Sequence, residues 1–304
     1  MPRTHATGLK SVDATEELLA ELKGVLARLD GVLPARREPD WSTCHAAVWQ
    51  RGPLGGSLNP HADLDDIELD DLMHIDRQKA LIDANTRQFI AGFPANNVLL
   101  WGARGTGKSS LIHALLKRYA HDGLRLIEVD KRSLAALPDI VDRLRNAPYR
   151  FVLVCDDLSF DRDDSSYREL KSALEGSVFR SSQNVLVYAT SNRRHLLPES
   201  MQDNQATRIE EGELHEGEAV EEKISLSDRF GLWLSFYPFK QDDYLGVVAH
   251  WLERIGARHG VNVSLTDDAR REALQWALAR AARNGRTAQY FARHWVGRLL
   301  LDQG

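Results

Sequence analysis

The sequence has little cysteine. Two thiols, Cys44 and Cys155, stand far apart in 304 residues. That rules out a disulfide framework or a Cys-x-x-Cys pair and suits the reducing cytosol. Long apolar runs are also missing. No stretch reaches 18 consecutive apolar residues, and no apolar segment follows the basic start MPRTHATGLK, which argues against a membrane span or a secretory leader. Positive charge is not in excess. Lys and Arg number 39 against 44 Asp and Glu, a net charge of −5, so the bulk balance does not advertise nucleic acid, although a local basic face stays compatible with it. Histidines such as His74, His113, His121 and His195 lack metal-ligand spacing, and no zinc, helix-turn-helix or RNA-binding signature is present.

What is present is a full-sized globular chain. Hydrophobic residues make up 43% and charged residues 27%, enough to build one large domain or two smaller ones. Residues 15–30 (TEELLAELKGVLARLD) read as an amphipathic helix. A stretch of about 40 residues rich in Gly, Pro and Asp follows and reads as an extension. Helical pattern resumes at 76–91. From residue 98 apolar runs alternate with helical segments. Strands are expected at 98–101, 124–129, 151–155, 184–189 and 232–236, and helices at 110–119, 133–145 and 165–175. This alternation predicts an α/β fold with a mainly parallel five-stranded sheet. After Pro238 the pattern is all-helical, with segments at 241–259, 267–282 and 287–301, the second capped by Asp267 or Asp268. The expected organisation is an N-terminal helix and extension over 1–70, a core over 71–238 and a helical lid over 239–304. An acidic insertion lies near 201–222, with seven Glu between Glu210 and Glu222; it reads as a solvated loop or a partner-docking one.

The most informative stretch is GARGTGKS: Gly102, Ala103, Arg104, Gly105, Thr106, Gly107, Lys108 and Ser109, with Ser110 behind it. It fits the phosphate-loop pattern at every fixed position, after an apolar strand and before a helical segment. Glycines let the loop wrap a polyphosphate, and backbone N–H groups with a helix N-terminus face the anion. Lys108 would reach the β/γ-phosphates and Ser109 would bind Mg²⁺. A second apolar run, FVLVC, leads into Asp156-Asp157. Asp156 suits a carboxylate that holds Mg²⁺, and about 50 residues between Lys108 and Asp156 allow the two strands to be neighbours. Asp157 stands where a water-orienting carboxylate is expected. It is one methylene shorter than Glu, so hydrolysis could be slow or conditional on a partner.

These stretches together resemble the AAA+ ATPases. GARGTGKS and FVLVCDD look like the two Walker motifs, and NVLVYATSN like the next strand, which implies Asn192 as the sensor 1 residue. SLSDRFG is similar to the segment that carries an arginine finger, which implies Arg229, acting on a neighbouring subunit. An ion pair within the chain is the alternative. NGRTAQYFA looks like sensor 2, which implies Arg286 reaching the γ-phosphate, a solvated helix face being the alternative. HIDRQ resembles the segment that packs on adenine, with Ile75 the contact. NTRQFIAGFPANNVLLWGARGTGKSSL, RFVLVCDDLSF, NVLVYATSNRRHLLPE and EKISLSDRFGLWLSF are similar to a bacterial family of predicted AAA+ ATPases classified only as a domain of unknown function. The resemblance covers roughly residues 70–300. Its SDRF segment is more distantly similar to helicase loaders and initiator ATPases.

The resemblance implies ATP/ADP and Mg²⁺ as cofactors and a nucleotide-dependent homo-oligomer. It implies an ATPase that remodels or loads a protein or nucleoprotein client. A nucleotide switch or adaptor with little turnover is the alternative. A small-molecule kinase is disfavoured because no acceptor motif is found. Direct nucleic-acid binding stays open through Lys131-Arg132, Arg193-Arg194 and the arginine-rich lid.

Overall fold

Short β-prone segments assemble into one sheet of seven strands. In chain order they are β1 (Ala46–Gly52), β2 (Gly55–Pro60), β3 (Val98–Gly102), β4 (Leu124–Glu128), β5 (Arg150–Cys155), β6 (Val185–Ser191) and, after a small ribbon, β9 (Leu232–Phe236). The ribbon pairs β7 (Arg208–Glu210) with β8 (Glu213–His215) antiparallel. The sheet order is β2-β1-β4-β5-β6-β3-β9. Every neighbouring pair is parallel except β1 with β2. This computed structural model describes residues 38–52, 55–61, 66–160, 164–175, 183–194, 196, 208–210, 213–215 and 226–302, together with 19 and 21–24. The chain divides into two units, Met1–Glu38 and Pro39–Gly304. The expected helix at 15–30 falls in the first and is helical at the few positions described.

Alternate side chains of a strand point to opposite faces. In β3, Val98 and Leu100 enter one apolar cluster and Leu99 the other; in β5, Val152 and Val154 part from Leu153 and Cys155 in the same way. Helices α1 (Asp76–Ile90) and α2 (Lys108–Tyr119) cover the first face through Ile82, Phe89, Leu111 and Leu115. Helices α3 (Leu137–Leu144) and α4 (Ser165–Glu175) cover the second through Ile140, Val141, Tyr167 and Leu170. A buried polar tie crosses the first layer. Tyr188 on β6 meets Thr86 at 2.8 Å and Asn85 at 3.2 Å. The C-terminal helices α5 (Gln241–Arg258), α6 (Asp267–Ala279) and α7 (Gly285–Asp302) pack around a third cluster, including Tyr244, Trp251 and Phe291. Among the described residues no helix is long and apolar enough to cross a membrane.

The α/β class, the parallel sheet and the helical C-terminus agree with the sequence reading; four details differ. The sheet has seven strands rather than five, because β1 and β2 come from the Gly- and Pro-rich region and extend the sheet upstream of residue 71. β3 and β5 are not neighbours, since β6 lies between them. The helix expected over 133–145 is a 3-10 turn, Lys131–Ala136, followed by α3. Pro138 is the reason: it lacks an N–H and favours the first turn of a helix. Thr266, not an aspartate, caps α6 by accepting a hydrogen bond from the Ala269 N–H at 3.2 Å. Of the acidic insertion, only the backbone of β7 and β8 is described; the rest lies outside the described residues.

One side chain holds the added strands in place. Arg125 of β4 is 4% exposed. Its guanidinium donates to the Trp41 carbonyl at 2.8 and 2.6 Å and to the Ala120 and Leu124 carbonyls at 2.8 Å. It lies 4.2 Å from the ring centre of Tyr149. The two bonds to Trp41 fix the segment that enters β1, and the other two fasten the guanidinium to the start of β4. Replacing Arg125 with Met strands those carbonyls in a dry environment, so we expect a loss of about 2–4 kcal/mol in unfolding free energy. Urea unfolding of Arg125→Met against the parent measures it; an unchanged midpoint would contradict this role.

Candidate functional site

Because β3, β5 and β6 run parallel, their carboxyl ends lie at one edge of the sheet, where open α/β sheets bind ligands. The phosphate-pattern loop leaves β3 there. Gly102 has φ +130°, and a Cβ on it would come within 2.0 Å of the Phe236 carbonyl. That carbonyl accepts a hydrogen bond from the Ala103 N–H at 3.0 Å, so strand β9 braces the start of the loop. Thr106 donates to the Ala103 carbonyl at 2.8 Å and closes the loop on itself. Gly107 precedes α2, whose first residue is Lys108.

Lys108 is buried, with its ammonium donating to the Gly102 and Ala103 carbonyls at 2.9 and 2.8 Å and to Asn192 Oδ1 at 3.2 Å. Burial pulls its pKa down to about 8, against the opposing pull of Asp156 and Asp157. It is a desolvated cation whose hydrogen-bond partners are neutral, and an arriving polyphosphate would supply the missing negative charge.

The two aspartates divide the work. Asp156 Oδ1 accepts from Ser109 Oγ at 2.7 Å and from Thr190 Oγ1 at 2.5 Å. The Thr190 hydroxyl also accepts from the Asp157 N–H at 2.9 Å. Asp157 has φ +49°, a left-handed turn that swings its carboxylate away from Asp156. Its Oδ1 is hydrogen-bonded by Asn192 Nδ2, and its Oδ2 lies 3.9 Å from Arg104 Nη2. Asn192 therefore links Lys108 to Asp157.

A cavity of about 380 Å³ joins these groups to the C-terminal helices. Ile67, Leu72 and Ile75 form an apolar wall, Val247 and Trp251 of α5 face it, and Arg286 and Gln289 of α7 complete the rim. Asp71 anchors the apolar wall to α5. Its buried carboxylate accepts from His250 Nε2 at 2.9 Å and pairs with Arg254. Helix α7 starts directly on the loop. Asn284 accepts from the Thr287 N–H at 2.8 Å, as a helix cap does, and its Nδ2 donates to the Arg104 carbonyl at 2.9 Å. The Arg286 N–H donates to the Gly105 carbonyl at 3.1 Å. A Cβ on Gly105 would sit 2.8 Å from the Asn284 side chain, so the close approach of α7 needs glycine there.

Of the residues singled out from the sequence, the loop from Arg104 to Ser110, Ile75, Asp156, Asp157, Asn192 and Arg286 all line this cavity, with Gly102 and Ala103 behind it. Arg229 does not. It precedes β9 at the opposite edge of the sheet and pairs with Glu175 of α4. Of the basic pairs, Lys131 is held by Asp164 at 2.6 Å, and Arg194 lies 5.6 Å from the ring centre of Trp101. Thr190, Asn284 and Trp251 were not anticipated. Thr190 had a signal, since it stands near the end of β6, two residues before Asn192. Asn284 had only a weak one, its place before a glycine at a helix start.

The residues fit a nucleoside triphosphate with a divalent cation. Lys108 is a desolvated ammonium, and Ser109 and Asp156 present paired oxygens at the loop–helix junction. Two protein oxygens suit Mg²⁺, which keeps phosphate and water ligands beside one or two protein groups. Among the described residues no three His, Cys, Asp or Glu side chains form a closed metal cage.

Solved structures share the fold. Two variants of Thermotoga maritima RuvB superpose with TM-scores of 0.50, at 16% and 17% identity, covering 80% and 78% of this chain and 67% of each of those. The Aeropyrum pernix Orc1 protein in complex with DNA follows at 0.49 and 15% identity, over 71% of this chain and 57% of that one. No curated protein matches the chain in sequence. Likeness at this identity speaks for the fold alone, an AAA+-type α/β core with a helical C-terminal region. Residues 42–299, most of the chain, match the family described as "Protein of unknown function (DUF815)", and the chain belongs to that family.

Proposed function

We propose that this chain binds ATP with Mg²⁺ and hydrolyses it, using the cycle to move the helical lid and so remodel or load a macromolecular client in the cytosol. One observation carries the reading. The Lys108 ammonium, the Ser109–Asp156 pair, the Asp157–Asn192 pair and Arg286 converge on a single cavity whose far wall is the lid. The apolar wall with Ile75 would take the adenine. Lys108 and the loop N–H groups would hold the phosphates, and Ser109 and Asp156 would hold the cation. Bound Mg²⁺ supplies charge neutralisation on the phosphates. Asn192 and Asp157 orient water, with Asp157 Oδ2 accepting its proton. Arg286 binds the terminal phosphoryl group from the lid side. Loss of that group then removes a tie between lid and core.

Arg229 acts in this scheme on a neighbouring copy, after leaving Glu175, which makes full activity depend on a homo-oligomer. The client is a protein or a nucleoprotein, because lid motion is a mechanical output. A second reading, a slow switch that recruits a partner, is favoured by Asp157 itself. Its carboxylate is short and already engaged by Asn192.

Phosphate release from ATP and Mg²⁺, measured across protein concentrations, tests the first reading. Specific activity should rise with concentration, and Lys108→Ala and Arg229→Ala should each lower it by about 100-fold or more. ATP binding without phosphate release at any concentration would leave only the switch. Asp157→Glu separates the two readings further. A gain of roughly tenfold in kcat marks a site tuned slow, whereas a loss marks a site built around the shorter carboxylate. Thr190→Val removes the hydroxyl that orients both aspartates. It should cost about 10–100-fold in kcat, with Thr190→Ser recovering most of it; equal activity in all three would discard that role.

A further inference from the structure

Arg104 occupies the tip of the phosphate loop. A phosphate cradle there needs only main-chain N–H groups, so a long cation is extra. The side chain is 77% exposed, lines the cavity, and has Asp157 Oδ2 3.9 Å away. The other Asp157 oxygen is taken by Asn192. One oxygen of the carboxylate is thus in a hydrogen bond and the other faces a guanidinium. The Arg104 carbonyl, in turn, is tied to the lid through Asn284 at 2.9 Å. The loop tip, the catalytic carboxylate and the lid therefore meet at one residue.

The Arg104–Asp157 pair is loose and solvated, the kind of ion pair that contributes little. It is poised to be exchanged for a stronger anion. A terminal phosphate carries about twice the charge of a carboxylate and offers oxygens to both arms of a guanidinium. A diphosphate leaves that position without an anion.

We propose that Arg104 is the residue by which this chain distinguishes a nucleoside triphosphate from a diphosphate. Its guanidinium leaves Asp157 for the terminal phosphate, and Asp157 Oδ2 loses its neighbouring cation. The Asn284 tie makes the reach of Arg104 depend on the position of the lid. This inference rests on the nucleotide-binding reading above and adds to it the group that senses the third phosphate.

Equilibrium binding of ADP and of a β,γ-imido ATP analogue, each with Mg²⁺, tests it on the full chain and needs no turnover. Arg104→Ala should weaken the analogue by about tenfold or more while changing ADP by less than about twofold. Arg104→Lys, which keeps the charge and loses the planar fork, should fall between. Asp157→Asn should tighten the analogue when Arg104 is present and leave it unchanged in Arg104→Ala. Equal losses for both nucleotides, no loss for either, or an Asp157→Asn effect that persists without Arg104 would each overturn the proposal while leaving nucleotide binding standing. Failure of the parent chain to bind either nucleotide would overturn both.

Discussion

The site depends on the insertion of β6 between β3 and β5. That placement puts Thr190 beside the first aspartate and Asn192 beside the lysine. The Thr190 hydroxyl is 2% exposed as a residue and serves as both donor and acceptor, to Asp156 and from the Asp157 N–H. Such a hydroxyl cannot be replaced by an isosteric methyl without leaving polar groups unpaired. The left-handed turn at Asp157 follows from the same constraint, since one carboxylate must face Ser109 and the next must face Asn192.

Much of this was legible in the sequence, for identifiable reasons. GARGTGKS and FVLVCDD carry their chemistry in consecutive residues, so their spacing alone implies a loop and a strand end. Apolar runs bounded by turn residues located five of the seven sheet strands. The rest depended on contacts distant in the chain. β1 has no obvious apolar period, and it becomes a strand because β4 offers it an edge and Arg125 fastens the segment before it. Strand order is not written in sequence spacing, which allowed β3 and β5 to be neighbours but could not place β6 between them. The partner of Arg229 is 54 positions away, Glu175 at the end of α4. Local propensity carries none of that information.

The lid is joined to the loop by main-chain groups as well as side chains. Strand β9 braces the loop through Phe236 and then leads into α5, and the Phe239 N–H donates to the Arg283 carbonyl at 3.0 Å, just before α7. Both C-terminal helices that line the cavity, α5 and α7, therefore start near the phosphate-pattern loop. Asp71, His250 and Arg254 make a second attachment farther along α5. Any lid motion has to respect the first set of bonds and stretch or release the second.

Helix α7 has 18 residues and begins on the Gly105 carbonyl. At 1.5 Å per residue it is about 27 Å long. Pivoted at its first turn, it is a lever with almost no short arm. A tilt of about 10° moves its far end by about 5 Å, roughly one helical turn. That far end carries Leu301, 83% exposed. On the proposed nucleotide cycle, shifts of tenths of an ångström at the phosphate loop would become displacements the size of a side chain at the far end of this helix.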